Sequence, residues 1–137
     1  MAQGYLSIIL HAHLPYVRHP EHRYSLEEKW FYEALTECYI PLLMHMEGMK
    51  RDGVHFRLTF SLSPTLCAMM EDPLLRERYS HYLERLQKLA RLEEERTAGD
   101  EDFAPLARMY RERFDAAAAY FQRYEGRLVR AFRSLAE

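Results

Sequence analysis

Cysteine is scarce in this chain: Cys38 and Cys67 are the two among 137 residues. That is too few for a disulfide framework, and since each falls inside an apolar helical pattern, both read as small buried thiols. Long apolar runs are missing as well, none approaching the ~20 residues that a membrane-spanning helix needs. Neither sign of charge dominates: 19 Lys and Arg stand against 21 Asp and Glu, for a formal net charge of −2. Such a balance gives no electrostatic pull toward nucleic acid or an anionic membrane. No internal repeat or low-complexity tract is present. The opening "MAQGYLSIILHAHLPY" has no basic leader and reads as mature structure rather than a signal peptide, so a cytoplasmic location is expected. With 48% hydrophobic and 29% charged residues, the composition is that of a globular protein, of a length that suits one domain.

Residues 5 to 14 alternate with period two. Leu6, Ile8, Leu10, Ala12 and Leu14 fall on one side, and Tyr5, Ser7, Ile9, His11 and His13 on the other. Residues 54 to 63 repeat the design. Val54, Phe56, Leu58, Phe60 and Leu62 face one way, and His55, Arg57, Thr59, Ser61 and Ser63 the other, until Pro64 stops the pattern. Successive strand side chains point to opposite faces, so each strand has one apolar and one polar face. Between them Ser25 and Glu28 have the spacing of a capping box, with Glu27 and Glu28 in the first helical turn. Trp30, Ala34, Leu35, Cys38 and Leu42 supply an apolar stripe. Pro41 cannot donate a backbone hydrogen bond, which predicts a kink or restart near Ile40, and "RDG" predicts a helix end at Gly53. Strand, helix, strand at this spacing predicts a parallel pair with a right-handed crossover. A polar second face suits the inside of a barrel with a wet centre, or a half-exposed antiparallel sheet.

The remainder is helical. "SPTLCAMMEDP" reads as a short helix, after which Asp72 caps a longer one with Pro73 at its first position. Leu75, Tyr79, Tyr82, Leu83, Leu86, Leu89 and Ala90 form its stripe, and "RLEEERTAGDED" reads as a solvated turn. Tyr110, Ala117, Tyr124 and Ala131 recur every seven residues, as do Phe114, Phe121, Leu128 and Leu135. A heptad seam of this kind packs as an antiparallel hairpin on the preceding helix, or pairs two copies of the chain through residues 110–135. Two parallel strands with polar inner faces do not make a stable sheet alone, so the chain reads as the opening part of a larger domain.

Three stretches carry a resemblance: "GYLSIILHAHLPYVRHP", "SLEEKWFYEALTECYIPLL" and "HFRLTFSLSPTLCAMMEDPLLRERY". In order and content they resemble the N-terminal part of glycoside hydrolase family 57, most closely its 1,4-α-glucan branching enzymes. The likeness is specific over residues 4–80 and looser over the last helices. It implies an α/β fold, the N-terminal portion of an incomplete (β/α)7 barrel, with two parallel strands plus long amphipathic helices. Residues 1–137 would be a single partial domain, in which 1–64 form the first two β/α units and 65–137 a helical segment. The resemblance also implies a retaining mechanism on α-1,4-glucans. A glutamate nucleophile and an aspartate acid/base would lie about 5–5.5 Å apart, as in retaining glycosidases generally. In the family both carboxylates lie downstream of the position matched by Glu137, so no catalytic residue is assigned here and Glu27, Glu28, Glu33 and Glu37 read as ordinary helix residues. His11 and His13 match the family's first conserved region and would line the donor-sugar pocket. Trp30 matches an aromatic position that would stack on a glucan ring, although a core role on its helix is equally open. Arg18 is either a substrate contact or a loop anchor. No cofactor is implied; the implied partner is an α-1,4-glucan such as amylose or glycogen.

Two other classes stay open from the residues alone. His-x-His at the end of a first barrel strand also opens metal-dependent amidohydrolases, but a zinc site needs a third protein ligand. His19, His22, His45, His55 and His81 show no ligand spacing to supply one. A non-catalytic helical interaction module is the other class.

Overall fold

The computed structural model describes residues 4–136. Strand β1 (Ile9–Ala12) leads through a long loop to helix α1 (Leu26–Ala34), a π-helical turn (Leu35–Tyr39) and helix α2 (Ile40–Arg51). Strand β2 (Thr59–Leu62), helix α3 (Pro64–Glu71) and helix α4 (Pro73–Arg96) follow, then α5 (Phe103–Arg123) and α6 (Leu128–Ala136). The two strands are parallel, with His11 opposite Ser61 and Ala12 opposite Leu62. The expected crossover is therefore present, but the paired spans are four residues each, shorter than the alternation over 5–14 and 54–63.

Pro41 explains the middle of the crossover. It lacks an N–H, so the ladder cannot continue unaltered. One extra residue is accommodated instead, and the Ile40 N–H bonds to the Leu35 carbonyl five residues back. The helix ends at Gly53, where φ is +71°. There the Val54 N–H reaches the Met49 carbonyl at 2.9 Å and the Gly53 N–H reaches Lys50 at 3.3 Å, the paired bonds of a Schellman cap. Ser63 and Asp72 cap α3 and α4 by accepting from the N–H groups of Leu66 and Leu75, each helix having proline at its start.

Four expectations need correction. Ser25 does not close a capping box; its hydroxyl bonds to the Glu27 carboxylate, and Glu28 turns inward. Of the expected stripe Leu35 is buried and Ala34 and Leu42 are half-buried, whereas Trp30 and Cys38 are exposed; the buried face is Glu28, Phe31, Tyr32, Leu35, Thr36, Tyr39, Ile40, Leu43 and Met46. Apolar residues surround this helix, and the inward face is the one whose polar members find partners: Glu28 on Arg78, Thr36 on Tyr79. Cys38 lies off that face and is exposed, and Cys67 is half-buried, so neither is a buried thiol. Last, residues 110–135 are not one helix. The chain turns at Glu125 and Gly126, with φ of 54° and 73°, between α5 and α6. The Gly126 N–H bonds to the Phe121 carbonyl at 2.9 Å and the Glu125 N–H to Gln122, a second Schellman cap that breaks the seam.

The hairpin packing of that seam is present. Phe121 meets Tyr79 of α4 edge-to-face at 4.8 Å, and Ala117, Ala118, Leu128 and Ala131 are buried in the same core. Phe60, on the apolar face of β2, packs on Phe132 of α6 at 5.0 Å. The strand pair is thus backed on its apolar side by the chain's own helices.

Candidate functional site

The opposite, polar side of the strand pair is open. His11 and His13 are exposed on β1 and the residue after it, with rings 6.0 Å apart and nearly parallel at 9°. This follows from strand geometry, since residues i and i+2 project from one face. His11 Nδ1 lies 3.1 Å from the Ser61 hydroxyl on β2, a contact fixed by the His11–Ser61 register. Thr59 is exposed two residues earlier on the same face. The result is a wall of imidazoles and hydroxyls at the C-terminal ends of two parallel strands. Such groups both donate and accept hydrogen bonds, as recognition of a polyhydroxylated ligand requires.

The loop leaving that wall is tied down at every few residues. Leu14 accepts from the Thr65 hydroxyl at 3.2 Å, and the Val17 N–H points at the Met69 sulfur at 3.2 Å. Arg18 pairs with Asp72 at 2.7 Å, which makes it the loop anchor of the two roles open to it. Burial would raise the Asp72 carboxyl, but the Leu75 N–H and Arg18 outweigh it and hold the group below its ordinary value. The His19 N–H donates to Glu28 at 2.9 Å, and Arg78 donates to the carbonyls of His19 (3.2 Å) and His22 (2.8 Å).

Glu28 and Arg78 are the residues that sequence reasoning missed. Glu28 is 2% exposed, each of its oxygens accepts from Arg78 at 2.7 Å, and the Tyr32 hydroxyl adds a bond at 3.0 Å. The available signal was that Glu28, Tyr32, Leu35 and Tyr39 share one helical face. Trp30 is not in the core. It is 49% exposed on α1. Among the described residues, no group of three or more His, Cys, Asp or Glu is placed to hold a metal ion. Among them, too, no helix is long and apolar enough to cross a membrane.

Two parallel strands joined by a helical crossover, with helices on one side and a wet wall at the strand ends on the other, have the arrangement of the opening units of a β/α barrel. The chain belongs to glycosyl hydrolase family 57, whose sequence pattern matches residues 7–137. A 1,4-α-glucan branching enzyme of Thermococcus kodakarensis is 32% identical over 136 residues, covering 97% of this chain and 19% of that protein. Among solved structures, a branching enzyme of the same family from Pyrococcus horikoshii superposes with a TM-score of 0.89 at 33% identity, covering 98% of this chain and 25% of that one. An α-amylase from Thermotoga maritima superposes at 0.88 with 42% identity, covering 93% and 24%. The chain thus spans about a fifth to a quarter of the relatives it matches, and corresponds to their N-terminal part.

Proposed function

We propose that this chain forms one wall of the glucan-binding cleft of a retaining, α-1,4-glucan-active enzyme, with 1,4-α-glucan branching as its reaction. His11 and His13 hydrogen-bond donor-sugar hydroxyls, and Trp30 offers its exposed indole as a stacking platform. Residues 1–64 contribute the first two β/α units and 65–137 the helical segment beside them. In branching, a glycosyl unit held on the nucleophile passes to a sugar 6-hydroxyl. The reaction itself is assigned to carboxylates supplied by the remainder of the barrel. The place of work is the cytoplasm, in glycogen-type polymer synthesis. The observation that carries the reading is the stacked His11–His13 pair, braced by Ser61 at paired strand ends, in a chain matching the family throughout.

The test is a titration of histidine ring signals by NMR as maltoheptaose is added. Shifts are expected at His11 and His13 and not at His45 or His81; shifts at none of the strand-end residues would refute the wall. In parallel, the 137 residues are incubated with amylose, and neither new α-1,6 linkages nor new reducing ends are expected. Either product would refute the assignment of catalysis to residues outside this chain. The 42% identity with the Thermotoga maritima α-amylase favours a second reading, hydrolysis. When the segment is joined to the rest of its barrel, reducing ends without α-1,6 linkages would select that reading.

A further inference from the structure

A separate cavity of about 750 Å³ opens between the start of α1 and the middle of α4. Its floor is the Glu28–Arg78 pair. The Glu28 carboxylate is fully engaged there, accepting from Arg78, the His19 N–H and the Tyr32 hydroxyl. It has no acceptor capacity left for a ligand. The walls are the reverse. Arg23, Lys29, His81 and Arg85 line the cavity with Tyr24 and Tyr82. Lys29 shares its charge with Glu33 at 3.2 Å. Among the described residues, Arg23, His81 and Arg85 enter no ion pair or hydrogen bond, and the Arg85 guanidinium only lies over the Tyr82 ring at 5.7 Å.

The cavity therefore offers two guanidinium groups with no carboxylate partner among the described residues, Arg23 and Arg85, beside the hydroxyls and aromatic faces of Tyr24 and Tyr82. A neutral glucan would leave both guanidinium charges without a counter-charge. A phosphoryl group accepts only, and guanidinium forks match its oxygens. The volume suits one small molecule, with Tyr24 and Tyr82 left to cover a sugar ring. This positive lining stands out in a chain of net charge −2.

We infer that this cavity binds a phosphate ester of a sugar, its phosphoryl group held by Arg23 and Arg85. The site is distinct from the strand-end histidines and does not depend on what they bind. The test is calorimetry of the chain with glucose 1-phosphate, inorganic phosphate and maltose. The ester is expected to bind at least tenfold more tightly than either of the others. R23Q/R85Q is expected to weaken it at least tenfold, while R91Q, elsewhere on α4, leaves it unchanged. Both targeted arginines are exposed, and circular dichroism of R23Q/R85Q checks that the fold persists. Inorganic phosphate binding as tightly as the ester would overturn the inference. So would maltose binding as tightly, an ester affinity indifferent to R23Q/R85Q, or no binding at all.

Discussion

Substituting Arg78 by methionine removes four hydrogen bonds at once: two to Glu28 and one each to the carbonyls of His19 and His22. What remains is a carboxylate 2% exposed that keeps two donors, the His19 N–H and the Tyr32 hydroxyl. Breaking a buried pair by removing one partner costs about 3–5 kcal/mol, and the two surviving donors place Arg78→Met near about 3 kcal/mol. Glu28→Met likewise costs about 3 kcal/mol, because it leaves the Arg78 guanidinium, the His19 N–H and the Tyr32 hydroxyl without their shared acceptor. The double variant Glu28→Met/Arg78→Met leaves no uncompensated charge, and similar apolar replacements elsewhere have been neutral or stabilising. It is therefore expected to be more stable than Arg78→Met alone. Urea unfolding of all four proteins, compared at a common slope, measures this coupling.

The same cycle separates stability from positioning. Arg78 fixes the loop that begins at His13, so amide exchange of residues 19–23 should accelerate in Arg78→Met and remain fast in the double variant even where stability returns. Two single substitutions each costing under about 1 kcal/mol, with additive effects, would refute the reasoning and class the pair with solvent-exposed bridges.

Thr36→Val deprives the buried Tyr79 hydroxyl of its partner at 3.0 Å and should cost about 1–3 kcal/mol by urea unfolding. Gly126→Ala adds a Cβ that would sit 3.0 Å from Phe121 Cζ at a φ of +73°, with an expected loss of about 1–3 kcal/mol in the same assay. Conversely, Glu125→Gly relaxes a left-handed residue and should raise stability by about 0.5–1 kcal/mol. Ser61→Ala, on the open wall, should change stability by less than about 0.5 kcal/mol yet alter the His11 ring signals. Glu47 links α2 to α5. Burial would raise its carboxyl, but the Tyr120 and Tyr124 hydroxyls and Arg123 outweigh that and hold it below its ordinary 4.5. A depressed folded value means stability that is complete above the ordinary value and lost as pH falls through the folded one. Thermal midpoints should therefore drop below about pH 4.5, and less steeply in Glu47→Gln.

The faces of the two strands were legible because alternation is set by the backbone itself. Leu10 and Ala12 turn toward the helices, while His11 and His13 do not. Strand lengths were not legible in the same way. Alternation runs on past Ala12 and Leu62, whereas a strand also needs a neighbouring backbone, which the described chain provides only over 9–12 and 59–62. The α1–α2 stripe failed for a related reason. Trp30, Phe31, Tyr32, Ala34 and Leu35, followed by Ile40 and Met44, place apolar surface on almost every side, so hydropathy cannot choose an inward face. The choice is made by Arg78, fifty residues away, which meets Glu28 in the folded chain.

The heptad seam shows the converse. Its spacing holds on both sides of Gly126, since Phe121 and Leu128 reach the same core, but not at its start, where Tyr110 is 44% exposed. From Ala117 onward periodicity therefore located buried residues and hid the break, and the left-handed Glu125–Gly126 pair was the local feature that marked it. The candidate site obeys the same logic. Period two puts both histidines on one face, but only the parallel register sets Ser61 against His11. A wall built this way depends on two strand ends held level. Their level is fixed in turn by Ser63, whose N–H extends the ladder to the Ala12 carbonyl at 3.0 Å and whose hydroxyl caps α3. One residue thus joins strand pairing to helix start, and Ser63→Ala should disturb the His11 signals more than its exposed neighbour Thr59→Ala does.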